Sequence, residues 1–410
     1  MLKKPKILFI MYDGLTDPLG QSQVLAYIKH LSVNYSFDIV GFEKPLIYEK
    51  QKEIINDAIH NLDISWFPVV YHKKPAILST IYDFYRGWLV VRRQGDKHNY
   101  DLIHCRSSAI GGIALAAKKR YGAKLLFDMR GWWADEKKES GAWNSIIFHP
   151  IYFYFKKLEK KLFKKSDFAI SLTKSGYKEI LDKKLKNSSS LAIIPTCVNF
   201  NIFKKYDSRI RNNIRSKLGI KEVEFVILYS GSLGGNYKID IIVNLHKAAK
   251  RANIKSRILL VTHANKADIF LAMKAKNIPS DDLVIVSSNY EDVHLYLMAG
   301  DIGVIDYKRS FSTIGRSPTK MGEYWACGLP VVSKGNTADV DSLIDKYENS
   351  GFIVKTETNE EYDGIINRIL MDKVNKELLR GYSIDYFDLK SGVDAYNDIY
   401  EKCLSGESLK

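Results

Sequence analysis

The chain has 410 residues, with 46% hydrophobic and 27% charged positions, the balance of an ordinary folded protein of about two to three domains. This composition excludes a disordered chain. Lysine and arginine number 62 against 47 acidic residues, a net charge of +15, which points to anionic surroundings such as phosphate-bearing substrates, a membrane surface or nucleic acid.

No run approaches the roughly 18 apolar residues of a spanning helix. The start, Met1-Leu-Lys-Lys-Pro, lacks the apolar segment of a signal peptide, so a cytoplasmic chain is expected. Cys105, Cys197, Cys327 and Cys403 lie far apart. They form neither a disulfide framework nor a zinc pattern, and buried free thiols are expected.

Lys6-Ile-Leu-Phe-Ile-Met-Tyr12 is a short apolar run of the kind a strand buried on both faces requires. It meets the loop 13–20, a helical pattern over 21–31 and a second strand run, Asp38–Phe42. Strand, glycine-bearing loop, helix and strand make a βαβ unit and imply a parallel sheet. The pattern returns with strand runs at 102–104, 124–128, 169–172 and 191–194 and a helix near 109–120. Pro195–Lys205 reads as a connector. A second series then follows, with strand runs at 225–230, 257–261, 283–286, 302–305 and 330–333 and helices at 239–251, 265–276, 291–299 and 318–327. The expected fold is α/β, with two Rossmann-like domains facing a central cleft. Residues 1–198 form the first domain, 199–384 the second, and 385–410 a C-terminal helix returning to the first. Ligands of such sheets bind outside the carboxyl ends of the strands.

Three loops carry the candidate chemistry. Leu19-Gly20-Gln21-Ser22 delivers a glycine to a helix N-terminus, a place suited to a phosphate or a sugar hydroxyl, or simply to a tight turn. Tyr229-Ser-Gly-Ser-Leu-Gly-Gly235 follows a strand and allows close backbone approach to a ligand. It is not a Walker A loop, and no Gly-x-Gly-x-x-Gly is present, which removes the main support for a nicotinamide or flavin enzyme. In Ser317-Pro-Thr-Lys-Met-Gly-Glu323, Pro318 suits a first helical turn and would leave the Thr319 and Lys320 amides for an anion. Glu323, one turn on, would accept both hydroxyls of a ribose. Asp339-Val-Asp341 reads as a solvated turn rather than a metal site.

Glu323-Tyr-Trp-Ala-Cys-Gly-Leu-Pro-Val-Val332 resembles the donor-site signature of GT-B glycosyltransferases of family 4, the group 1 enzymes. Asp17–Val24, Phe127-Asp-Met-Arg-Gly-Trp-Trp-Ala-Asp-Glu136, Ile194–Asn199 and Tyr229–Gly234 resemble a bacterial branch that builds surface polysaccharides. The resemblance implies transfer of a sugar from a nucleotide-sugar donor to a glycan or lipid-linked glycan acceptor, with retention of configuration and without a metal or other cofactor. Glu323 would bind the nucleotide ribose and the Thr319 and Lys320 amides the donor phosphates, with Ser317 and Pro318 opening that helix. The loop of Gly20 and Gln21 would touch the donor, and His104, Arg106 and Asp128 would lie on the acceptor side.

The chain departs from the family pattern at three places. The first Glu of the family's paired-glutamate motif is Gly315 here. The donor-gripping cations are replaced in Gly231-Ser232-Leu233…Tyr237, with Lys238 adjacent. Arg130-Gly131 stands where many members have His-Gly. A leaving phosphate needs fixed positive charge, for which Lys320 is the first candidate. Arg309 and Arg316 are alternatives, equally suited to the carboxylate of an acidic donor sugar. Arg130, Asp135 and Glu136 are further catalytic candidates. Asp128, Asp135 or Glu136 would serve as base if the reaction inverts. A GT-B epimerase and a catalytically inactive GT-B binding subunit are the rival readings.

His149–Lys165 interleaves aromatics with lysines. On a helix Ile151, Phe155, Leu158 and Leu162 share one face, which suits either an anionic membrane surface or a core-facing helix with a basic exterior. Ile77–Arg93 is a second membrane candidate. No nucleic-acid module is matched.

Overall fold

The computed structural model describes residues 3–233, 239–335, 337–372 and 374–405. The chain divides into two compact units. The first comprises Met1–Thr196, Ile314–Arg316 and Leu389–Lys410, and the second Cys197–Thr313 and Ser317–Asp388.

Unit 1 is built on a seven-stranded parallel sheet of β1 (Lys6–Met11), β2 (Ser36–Glu43), β3 (Ile64–Val70), β4 (Leu102–Arg106), β5 (Lys124–Asp128), β6 (Phe168–Ser171) and β7 (Leu191–Ile193). The order is β3-β2-β1-β4-β5-β6-β7. The inner strands are apolar runs because both faces are covered; β4 is buried along its whole length. The sequence reading has no strand at β3, whose Pro68 cannot donate to a ladder. Its edge position makes the missing donor tolerable. Right-handed crossovers place helices Ala76–Gly95, Gly111–Tyr121 and His149–Lys165 together on one side of the sheet. The first packs on the second and the second on the third. Helix Leu389–Ser405 packs against Ala26–Leu31, β4 and β5.

Unit 2 holds a six-stranded parallel sheet of β8 (Phe225–Ser230), β9 (Ser256–Val261), β10 (Leu283–Val286), β11 (Ile302–Ile305), β12 (Val331–Lys334) and β13 (Gly351–Val354). The order is β10-β9-β8-β11-β12-β13. The strand at β13 is also absent from the sequence reading. All four cysteines are buried, and none is joined in a disulfide. No described helix is long and apolar enough to cross a membrane.

The strand order reverses between β1 and β4 in unit 1 and between β8 and β11 in unit 2, and in open parallel sheets such reversals open a crevice for ligands at the carboxyl ends. The candidate residues concentrate after these strands.

Several local expectations are corrected. The helix expected from Gln21 begins at Pro18 and passes through a π-helical turn, Gln21–Leu25, so Gly20 lies inside the helix rather than before it. Helix Thr319–Ala326 has Pro318 at its cap, not in its first turn. The Thr319 amide donates to the Ser317 carbonyl at 2.9 Å and is not left for an anion. Asp339 is not in a solvated turn: it is buried and accepts a hydrogen bond from the Tyr386 hydroxyl at 3.0 Å. The apolar stripe of His149–Lys165 faces inward, with Phe155, Leu158 and Leu162 buried, so the core-facing alternative holds for that stripe.

Candidate functional site

In unit 2 the chain leaves β8 through Gly231, whose φ of +121° is a conformation that favours glycine. A Cβ there would lie 2.8 Å from Lys320 Cε and 3.0 Å from Nζ. Helix Thr319–Ala326 presents Lys320 and Tyr324, four residues apart and hence on one face, to the end of β8. Lys320 Nζ donates to the Tyr229 hydroxyl at 2.8 Å and sits over the Tyr229 ring, 4.3 Å from its centroid. The Tyr229 hydroxyl in turn donates to the Ser232 carbonyl at 2.5 Å. The Tyr324 hydroxyl accepts from the Ser230 amide at 2.9 Å. These bonds fix the glycine loop to the helix.

Glu323 lies on the same turn. Burial pushes its carboxyl up to about 7, against the opposing effect of Lys320. Burial lowers Lys320 to about 7 as well, with Glu323 opposing. Burial thus disfavours the charge on each group, and the attraction between them opposes it. An incoming phosphate would favour the charged ammonium. Gly328, at φ +72°, ends the helix.

The other expected donor groups are placed differently. Arg309 Nε donates to the Gly335 carbonyl at 3.0 Å within unit 2. Arg316 belongs to unit 1, where its Nε lies 3.3 Å from Glu136 Oε1. Lys238 falls outside the described residues. Ser317 is buried. Asp306, directly after β11, was not anticipated. It accepts from the Ile241 amide at 3.2 Å, anchoring the helix that follows the glycine loop, and burial raises its carboxyl to about 6.

In unit 1, Arg106 and Asp128 end β4 and β5 in register, and His104 shares the face of Arg106 through the two-residue strand period. Helix Leu389–Ser405 adds two tyrosines one turn apart. The Tyr400 hydroxyl is 2.7 Å from His104 Nδ1, and the Tyr396 hydroxyl donates to Asp128 Oδ2 at 3.0 Å. Asp128 also lies 3.5 Å from His104 Nε2, 3.9 Å from Arg106 and 3.7 Å from Arg130. Burial alone would raise Asp128, but Arg130, the His104 hydrogen bond and Arg106 more than offset it and hold the carboxyl at about 2. Burial lowers His104 against the opposing pull of Asp128. Arg130, at φ +53°, donates to Gln23 Oε1 and Thr196 Oγ1, both at 3.3 Å. His104, Asp128, Tyr396, Tyr400 and Gln23 line a small pocket together with Phe9 and Tyr27.

The other two candidate carboxylates of this unit, Asp135 and Glu136, are engaged by neighbours. Asp135 accepts from Tyr152 at 2.8 Å and from Lys156 at 2.6 Å. Burial raises Glu136, with Arg316 opposing. Gly315 packs on this segment: a Cβ there would meet Trp132 Cδ1 at 2.9 Å and Gly131 Cα at 3.3 Å. The absent glutamate and the Arg130-Gly131 replacement are therefore one spatial feature.

The loop after β1 is organised by a residue the sequence reading missed. Glu43, ending β2, accepts from the Leu15 amide at 2.7 Å, the Thr16 amide at 3.2 Å and the Thr16 hydroxyl at 2.5 Å. Gly20 closes the loop: a Cβ there would stand 2.0 Å from the Gly14 carbonyl oxygen. Gln21 Nε2 donates to the Thr16 carbonyl at 3.1 Å. Among the described residues no cluster of His, Cys, Asp and Glu is spaced to hold a metal.

Two parallel-sheet α/β units with ligand-poised loops after the reversal strands define the GT-B fold. Residues 43–201 match the family Glycosyltransferase Family 4. The chain is 23% identical to the uncharacterized glycosyltransferase MJ1069 of Methanocaldococcus jannaschii, over 98% of this chain and 100% of that protein. Among solved structures it is similar to sucrose-phosphate synthase of Thermosynechococcus elongatus, with TM-score 0.71 and 14% identity over 98% of this chain and 100% of that one. It is equally similar to Anabaena Alr3699/HepE in complex with UDP and glucose, with TM-score 0.71 and 14% identity over 97% and 99%. By fold the chain is of the GT-B type, and over residues 43–201 it is similar to a glycosyltransferase family.

Proposed function

We propose that this chain transfers a glycosyl group from a nucleotide-sugar to a glycan or lipid-linked glycan acceptor in surface polysaccharide synthesis. It would work in the cytoplasm, at the inner face of the membrane. The reading rests on one observation: Lys320 is seated against Gly231 and Tyr229, one helical turn from Glu323, at the carboxyl end of β8. A cation for a phosphate and a carboxylate for two ribose hydroxyls are the groups a nucleoside diphosphate needs. The Anabaena relative, solved with UDP-glucose, supports a donor of this class.

In the transfer, the bond from the anomeric carbon to the diphosphate oxygen breaks and a bond to the acceptor oxygen forms. The acceptor's proton leaves with the diphosphate or to solvent. Negative charge grows on the departing phosphate, and Lys320 is the group assigned to stabilise it. Retention of configuration is part of the proposal. Such a reaction draws mainly on positioning and electrostatics and requires no separate metal.

The test is mass spectrometry of the purified protein with UDP-, GDP-, dTDP- and CMP-sugars, each with and without a glycan acceptor. Donor consumption that requires the acceptor supports the proposal. An isomerised donor formed without acceptor would make the chain an epimerase. Calorimetric binding with no turnover across acceptors would make it a binding subunit.

A further inference from the structure

Helix Ala76–Gly95 carries apolar side chains on its outer face as well as its inner one. Its buried positions are Ser79, Asp83, Gly87, Val91 and Gln94, and Phe84, Trp88 and Val90 pack partly buried against the same core. Gly87 admits Phe42, whose Cζ would stand 2.6 Å from a Cβ there, and Asp83 accepts from the His72 amide at 2.7 Å and from His72 Nδ1 at 2.6 Å. The opposite stripe carries Leu78, Ile81, Tyr82, Tyr85 and Leu89, with Leu78 66%, Ile81 61% and Tyr85 58% exposed. These positions recur every three to four residues over three turns, so they form one continuous apolar face. A helix of a water-soluble surface keeps its outer face polar.

The charge around this face has one sign. Of the two helices beside it, Gly111–Tyr121 contains no acidic residue and exposes Lys119 and Arg120. Helix His149–Lys165 exposes Lys157, Lys160, Lys161 and Lys164 beside Phe153 and Tyr154. Ile146 and Ile147, just before it, are also exposed. The only carboxylates within these three helices are Asp83 and Glu159, and both are buried. Glu159 is engaged by Lys156 at 2.6 Å. Asp96, just beyond the first helix, pairs with Arg120 and Arg92.

We propose that the outer face of these three helices docks on an anionic bilayer, with the 78–89 stripe seated among the headgroups and the lysines of 149–165 against lipid phosphates. Apolar insertion combined with flanking cations is the chemistry of an interfacial helix. A second copy of the same cationic face would repel it, and aliphatic side chains offer nothing to a nucleic-acid backbone. The proposal deepens the membrane partner of the transferase reading. Its test reads binding without turnover, so failure of either reading is seen separately.

The full-length protein is to be sedimented with phosphatidylcholine vesicles, with and without phosphatidylglycerol. Binding should require phosphatidylglycerol and weaken at least tenfold between low and high salt, since surface attraction is screened within a Debye length of about 10 Å at 0.1 M. The triple variant Ile81→Ser, Tyr85→Ser, Leu89→Ser should lose at least tenfold in binding while keeping its thermal midpoint. Replacing Lys157, Lys160, Lys161 and Lys164 by Gln should flatten the salt dependence. No binding to anionic vesicles, or wild-type binding by the folded triple variant, overturns the proposal. So does a solution dimer that the triple variant dissociates, which would give this face to a second copy.

Discussion

Lys320 and Gly231 occupy complementary space: the ammonium lies 3.0 Å from the point where a Gly231 Cβ would be. Gly231→Ala is therefore expected to displace the ammonium and weaken nucleotide binding about tenfold, an effect near 1.4 kcal/mol. In a Lys320→Ala background the same substitution should cost much less, because neighbouring sites are not additive. Calorimetric titration of UDP into the four proteins checks this. Equal losses in both backgrounds would separate the two residues.

Lys320→Ala is expected to lower kcat by roughly two orders of magnitude, the scale for losing one group that stabilises developing charge. The donor KM should change far less, since only transition-state binding is lost. Steady-state kinetics showing an unaltered kcat and a raised KM would confine Lys320 to ground-state binding.

Glu323→Gln separates binding from stability. The Glu323 carboxyl is raised to about 7 by burial, so the folded state holds its proton more tightly than the unfolded state. Its contribution therefore falls as pH rises from about 4.5 to about 7 and is level beyond. The variant should gain on wild type over that window, by about 1–3 kcal/mol, read as a widening difference in thermal midpoint between pH 5 and pH 7.5. Its nucleotide affinity should nevertheless drop about tenfold to a hundredfold through loss of charge-assisted hydrogen bonds to the ribose. A pH-independent difference in midpoint would contradict the assignment.

Gly315→Glu, which restores the residue the family pattern has at this place, is expected to impair rather than repair. Trp132 and Gly131 already fill the space a side chain would need. Overpacking of this kind costs about 1–3 kcal/mol, visible as a lowered midpoint in chemical denaturation. A variant with unchanged stability and raised turnover would show that the segment opens to accept a carboxylate.

Asp128 is held at about 2, burial being outweighed by Arg130, His104 and Arg106. A depressed folded pKa gives stability that is present above about 4 and lost as pH falls through about 2. Wild type should therefore lose its advantage over Asp128→Asn on acidification from pH 5 to pH 2.5. Tyr396→Phe removes one hydrogen bond to the same carboxylate and should cost about 1–2 kcal/mol. A constant gap between wild type and Asp128→Asn across that range would refute the ion-pair account.

The sheet strands were legible where both faces are buried, because an unbroken apolar run such as Ile7–Met11 has few other places to go. β3 was not, since Ser65, Trp66 and Pro68 interrupt the run and an edge strand tolerates all three. The helix Ala76–Gly95 shows a second limit. Its apolar periodicity is plain in the sequence, but periodicity alone does not say that Ser79, Asp83 and Gly87 face the core. The site was legible as loops and residue types. The seating of Lys320 against Gly231, and the Glu43 carboxylate holding Leu15 and Thr16, depend on segments far apart in the chain. Spacing in the sequence carries no signal for either.

Unit 1 is discontinuous: its last helix, Leu389–Ser405, covers His104 and Asp128 with Tyr400 and Tyr396, while all of unit 2 is encoded before that helix. During synthesis, which proceeds at about 5–20 residues per second, all seven strands of the N-terminal sheet emerge before unit 2, but the helix that covers His104 and Asp128 emerges after it. Unit 2 is thus fully encoded before unit 1 is, and the unit begun first is the last completed. A truncation before Leu389 would leave a histidine, two arginines and an aspartate of unit 1 without the tyrosines that shield them, a partly covered sheet of the kind chaperones and proteases act upon.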